Sequence, residues 1–156
     1  MHCQRLVSFF LIISIFTMTS CASLKYQTKV SLSQGIVGQV FEQKGNKMPQ
    51  VGKAFSKGNP FPTTIYVFEP TNISQVQKIE GNIIKNITTR LVANYQTDDL
   101  GKFKIKLTPG KYTVVVGYEG AYFTPYFSTQ NELSLIHVVA NEFTNLDVII
   151  NVKASY

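Results

Sequence analysis

The chain has 156 residues, 44% of them hydrophobic, and 15 Lys plus Arg against 9 Asp plus Glu, for a formal net charge of +6. That length holds one domain and a targeting segment and leaves no room for a second large domain. With two Cys and two His in the whole chain, few side chains are left for metal or nucleophile chemistry.

Residues 1–20 are unlike the rest. Met1–Arg5 carries one Arg and no acid, Leu6–Phe16 (LVSFFLIISIF) is dominated by large apolar residues, and small residues follow. The apolar run is shorter than the roughly 20 residues a membrane-spanning helix needs. A basic start, a short apolar core and a small-residue exit predict a secretory signal peptide over 1–20. Met18-Thr19-Ser20-Cys21 resembles the bacterial lipobox, with Met where Leu is usual. That resemblance implies lipidation at Cys21, palmitate included, and Cys21 as the first residue of the mature chain. The competing expectation is ordinary cleavage nearby, which leaves Cys21 a plain thiol. Ala22, rather than Asp, after Cys21 resembles outer-membrane sorting, so a bacterial cell-envelope lipoprotein of the outer membrane, facing the periplasm, is expected.

Cys3 lies in the part removed and Cys21 would carry lipid, so the mature domain is expected to hold no disulfide and no Cys metal ligand. Removing 1–20 leaves 14 basic and 9 acidic residues, a charge of +5. The lysines are dispersed, and an exported, anchored chain meets no nucleic acid. The charge therefore reads as solubility, or as attraction to an anionic membrane surface.

Residues 21–34 are polar and without strong periodicity, which predicts a membrane-proximal tether ahead of a domain over 35–156. GIVGQVFEQ reads as a first strand, and the Gly-, Lys-, Asn- and Pro-rich stretch to Pro62 reads as loop. TTIYVFEP is β-branched and aromatic between two prolines, a strand signal. TNISQVQKIEGNIIKNI (Thr71–Ile87) fits either a short helix or an edge hairpin, and TTRLVANYQT after it reads as a strand. Phe103, Ile105 and Leu107 alternate with Lys102, Lys104 and Lys106, the period of a half-buried strand. Thr97–Gly101 reads as the turn before it, with an Asp side chain on the following amides. Pro109-Gly110 reads as the centre of a type II turn, with Gly110 taking the positive φ. The return strand puts Tyr112, Val114, Val116 and Tyr118 on one face, and Leu146, Val148, Ile150 and Val152 form a last inward row. Short strands, turn signals and no convincing long helix predict an all-β sandwich of two stacked sheets.

Gly35–Val37, then Thr97-Asp98-Asp99-Leu100-Gly101-Lys102-Phe103, then Pro109-Gly110-Lys111-Tyr112 match G-x-V, T-D-x-x-G-x-F and P-G-x-Y. In these motifs the chain resembles the carboxypeptidase regulatory-like domain, over most of Gly35–Tyr156. The resemblance implies a seven-stranded Greek-key sandwich of the transthyretin (prealbumin-like) kind and a non-catalytic module. Ser74–Ala93 departs from it, being longer than the usual link before the T-D turn.

Candidates for chemistry are few. His137, alone in the mature chain, sits in the apolar LSLIHVVA and reads as a packed, hydrogen-bonded histidine, since a general base needs partners. There is no G-x-S-x-G, no phosphate-cradling Gly loop and no His pair for zinc. Asp98 and Asp99 read as turn residues rather than calcium ligands. No enzyme activity, metal or cofactor is therefore expected. GYEGAYFTPYFS collects Tyr118, Tyr122, Phe123, Tyr126 and Phe127. Such aromatics either plug one end of the sandwich or form a binding surface for a protein or a sugar. Strand alternation sends Tyr122 and Phe123 to opposite sides. The expected function is a lipid-anchored interaction or structural module with an envelope protein as partner. A carbohydrate-binding module, using Tyr118–Phe127 on an envelope polysaccharide, is the alternative.

Overall fold

The computed structural model describes residues 33–48, 52, 54 and 56–156. The expected signal peptide, Cys21 and the expected tether as far as residue 32 lie outside the described residues. Within them the fold is all-β, two sheets with a one-turn 3-10 helix at Ile73–Gln75. No helix among the described residues is long and apolar enough to cross a membrane.

The smaller sheet is built on β1 (Gly35–Asn46). One edge of β1 pairs antiparallel with β7 (Lys102–Lys106) and then with β2 (Asn59–Pro60). The other edge runs parallel with β11 (Phe143–Asn145) and then β12 (Val148–Ser155). The larger sheet has the order β4 (Gln77–Glu80), β5 (Ile83–Lys85), β9 (Ala121–Phe123), β8 (Gly110–Tyr118), β3 (Thr64–Phe68), β6 (Leu91–Gln96). Strand β10 (Leu135–Val138) follows β9 along the same edge of β8, opposite β3.

Period-two alternation builds the space between the sheets. Ile36, Val40, Phe103, Ile105, Leu107, Leu146, Val148 and Ile150 enter from one side. Ile65, Val67, Val114, Val116, Tyr118, Phe123, Ile136 and Val138 enter from the other, all of them buried. Full burial of one such side chain is worth about 1.5–3 kcal/mol, and the intervening Lys102, Lys104 and Lys106 are exposed.

The larger sheet is covered on its other face too. Val115, Phe68, Ile84 and Leu133 form a second buried cluster, with Ile73, Val76, Ile87, Tyr122 and Phe127 packed against it. The cover is made by the 3-10 turn, the β4–β5 hairpin and the chain between β9 and β10. Asn72 caps the turn: its side-chain oxygen accepts from Ser74 N at 3.2 Å and its own N–H donates to Gln75 Oε1 at 2.8 Å. A capped turn and then a hairpin thus account for the start of the segment whose sequence was ambiguous. The excursion between β9 and β10 is closed at its neck by the Thr124 and Ser134 hydroxyls, 2.6 Å apart and wholly buried.

Three local expectations are corrected. Gly110 has no positive φ; it is the first residue of β8, paired with Val138. The turn is shaped instead by Tyr112, whose hydroxyl donates back to Thr108 O at 3.0 Å. Val152 is 46% exposed, because the β1–β12 register shifts between Glu42 and Lys44 and the alternation after Ile150 is lost. His137 is exposed, pointing away from the core between buried Ile136 and Val138.

Candidate functional site

The turn motif is a structural device. Asp98 Oδ1 accepts from Leu100 N at 3.0 Å and from Lys102 N at 2.7 Å, and Gly101 takes φ +71. A Cβ at Gly101 would lie 2.6 Å from Val40 O, so the turn between β6 and β7 packs backbone to backbone against β1. Thr97 ties it to β3, its hydroxyl accepting from Thr63 N at 2.9 Å. Among the described residues no group of three or more His, Cys, Asp or Glu is placed to hold a metal ion.

The five aromatics between Tyr118 and Phe127 are divided between two layers. Tyr118 is 5% exposed and Phe123 1%, both in the core between the sheets. The Tyr118 hydroxyl donates to Glu42 Oε1 at 3.3 Å. Burial, and then the negative charge of Glu119, raise its pKa above the usual 10.0. Tyr122 points the other way, half-buried in the second cluster. Its ring stands edge-on to Tyr66 (centroids 5.0 Å, 82°) and to Phe68 (6.0 Å, 84°). Phe127 is half-buried in the same cluster. Tyr126 is 40% exposed, yet its hydroxyl is held by Leu135 O at 2.8 Å.

Tyr122 and Tyr66 together line a groove of about 610 Å³. Pro62 and Thr63 line it from the approach to β3, Lys85, Asn86 and Ile87 from the end of β5, and the Glu119-Gly120 turn from its end. Glu119 and Gly120 join β8 to β9 with φ 47 and 75, two positive values in succession as a tight hairpin requires. Glutamate rarely adopts this conformation, and Asn86 in the same lining also has positive φ, at 50. Among the described residues the Tyr66 and Tyr122 hydroxyls and the Lys85 ammonium have no hydrogen-bond partner. The groove therefore offers aromatic surface, two phenol groups, the Lys85 ammonium and the Glu119 carboxylate, which Lys153 pairs, to a ligand.

Tyr66 and Lys85 were not singled out from the sequence. Tyr66 was findable, since it lies between Ile65 and Val67 and alternation sends it to the face opposite the core. Lys85 and Asn86 belong to the segment whose structure the sequence left open. No protein-family model matches the chain, and no curated protein matches it significantly.

Proposed function

We propose that the chain is a lipid-anchored, non-catalytic binding module of the bacterial cell envelope, held at the outer membrane through Cys21 and facing the periplasm. In this reading the domain is a prealbumin-like Greek-key sandwich of the carboxypeptidase regulatory-like kind. The strand order supports it. If β9 with β10, and β11 with β12, each count as one interrupted strand, the orders β7-β1-β11/β12 and β6-β3-β8-β9/β10 make seven strands in two sheets. β2 and the β4–β5 hairpin are then additions at the edges.

The observation that carries the binding role is the groove over Tyr66 and Tyr122, with two phenol hydroxyls and Lys85 unpartnered among the described residues and two non-glycine residues at positive φ in its lining. Backbone strain at one mouth is a feature of ligand clamps. The occupant is the exposed segment of an envelope protein. Cross-linking in intact cells through a photoreactive residue at position 85 should trap one protein, and Tyr66→Ala with Tyr122→Ala should abolish that product. An unchanged product in the double variant would remove the groove from the reading. The carbohydrate reading draws on the same two rings, because sugar faces pack on aromatic surface while hydroxyls meet polar groups. Retention of the wild type, and not of the double variant, on immobilised envelope polysaccharide would favour it. The anchor is tested separately. A palmitate analogue should label the wild type and not Cys21→Ser.

A further inference from the structure

The outer face of the small sheet is built differently from the rest of the surface. Residues paired directly across strands share a face. β7 therefore sets Lys102, Lys104 and Lys106 in one row, opposite Gln39, Val37 and Gly35 of β1. Beyond β1 stands Phe143, paired with Gly35, and further along Phe41 is paired with Ile149. Val37, Phe41, Phe143 and Ile149 are all half-buried, a partly exposed apolar strip beside a row of ammonium groups. Lys104 Nζ lies 4.2 Å from the centre of the Phe143 ring. Lys57, over Phe41 at 5.7 Å, is paired with Asp147 at 2.8 Å, and Asp98 stands at the rim. Lys102, Lys104 and Lys106 have no carboxylate partner among the described residues.

The charge is unevenly placed. Residues 33–156 carry 12 basic and 9 acidic side chains. Lys57, Lys102, Lys104 and Lys106, against Asp147 and the rim residue Asp98, hold two of that excess of three on one sheet face. The chain enters the fold at the same place: Gln34 O accepts from Leu107 N at 3.2 Å, and Gly35 is paired with Lys106. The 13 residues from Cys21 to Ser33 span at most about 45 Å even when fully extended.

We propose that this lysine row and its apolar strip are a docking surface for the anionic phosphate headgroups of the membrane. The inference rests on the anchored reading for bringing the face near a bilayer. Ammonium groups reach headgroup oxygens while their methylene stems, with Phe143, Phe41 and Ile149, cover the apolar side of the interface. The attraction acts within a Debye length, about 8 Å at physiological salt, so the short tether matters. Docking the small sheet turns the groove of Tyr66 and Tyr122, on the larger sheet's far face, toward the periplasmic space.

The test uses the full chain carrying Cys21→Ser, so that no acyl chain contributes. Vesicles of phosphatidylcholine with phosphatidylglycerol are compared with phosphatidylcholine alone by co-sedimentation, which subtracts any contribution of the apolar leader. Binding in excess on the anionic vesicles is expected, falling with added salt. Replacing Lys102, Lys104 and Lys106 together with Gln should weaken it by roughly two orders of magnitude, about fivefold per lysine. A matched triple at Lys47, Lys111 and Lys153 removes the same charge elsewhere and should retain most of the binding. Equal losses in the two triples, or none in the first, would overturn the proposal; the melting temperature of each triple shows that it is folded. Failure to label Cys21 in cells would remove the anchor and leave this comparison untouched.

Discussion

Gly38→Ala is the smallest change that should do the most damage. Gly38 lies in β1 where the link between β11 and β12 crosses it. A Cβ there would sit 1.9 Å from Leu146 O and 2.5 Å from Leu146 C. Both are backbone atoms and cannot rotate aside. Reaching an ordinary contact of about 3.5 Å means moving that chain outward by about 1.5 Å. The movement strains Leu146 N→Val37 O, 2.8 Å, and Gln39 N→Asp147 Oδ1, 3.1 Å, and it withdraws Leu146 and Val148 from the core. Overpacking costs about 1–3 kcal/mol and a stranded backbone group about 1–3 kcal/mol, so a loss near the middle of their summed range, about 3–5 kcal/mol, is expected. In a domain of this size that lowers the melting temperature by about 10–20 °C. Gly110→Ala is the matched control. Gly110 lacks positive φ, and its Cβ would meet nothing nearer than Tyr112 Oη at 3.5 Å. Removing a glycine from the unfolded chain there should hold or raise stability by about 0.4–1 kcal/mol. A Gly38→Ala domain that melts with the wild type, or a Gly110→Ala domain that melts lower than Gly38→Ala, would refute the close-approach reasoning.

Phe123→Ala should cost about 3–5 kcal/mol in urea denaturation, as a fully buried aromatic does. Tyr122→Ala, from the half-buried layer, should cost distinctly less and abolish cross-linking at the groove. Asp98→Ala leaves the Leu100 and Lys102 amides without their acceptor and should lower stability by about 1–2 kcal/mol, whereas Asp99→Ala should stay within about 0.5 kcal/mol. Tyr118 is held in its neutral form by burial and then by Glu119. Its folded pKa therefore lies above the unfolded value, so this contribution is complete below pH 10.0 and is lost as the pH rises through 10.0 toward the folded pKa. Urea midpoints should fall over that alkaline range, and Tyr118→Phe should flatten the fall, leaving the share of Tyr126, also raised by burial.

What could be read in advance was whatever a residue's near neighbours decide. Lys102–Leu107 declares a strand because alternation needs no distant partner, and Asp98 declares its turn because its hydrogen bonds close within four residues. What could not be read has the opposite character. Val115, between Val114 and Val116 on β8, should face solvent by alternation. It is buried because the 3-10 turn, the β4–β5 hairpin and the Thr124–Ser134 excursion fold over that face, and no property of β8 foretells them. Val152 was placed inward by extending a row whose register changes against β1. Gly110 was given a turn glycine's role that the Tyr112 hydroxyl fills.

The candidate site divides along the same line. Aromatic density between Tyr118 and Phe127 was visible, but which rings meet a ligand depends on which layer each enters. Tyr66, from a strand far earlier in the chain, stands edge-on to Tyr122, while Phe123 next door is consumed by the core. Gly38 is the extreme case. Its neighbours in GIVGQV look like an ordinary strand, and the adjoining contact that explains it, Gln39 to Asp147, spans 108 residues. A glycine that answers to so remote a carbonyl is recognised only once the two chains are laid side by side. That is why the Gly38 and Gly110 variants test the fold itself, where a core truncation would test only its packing.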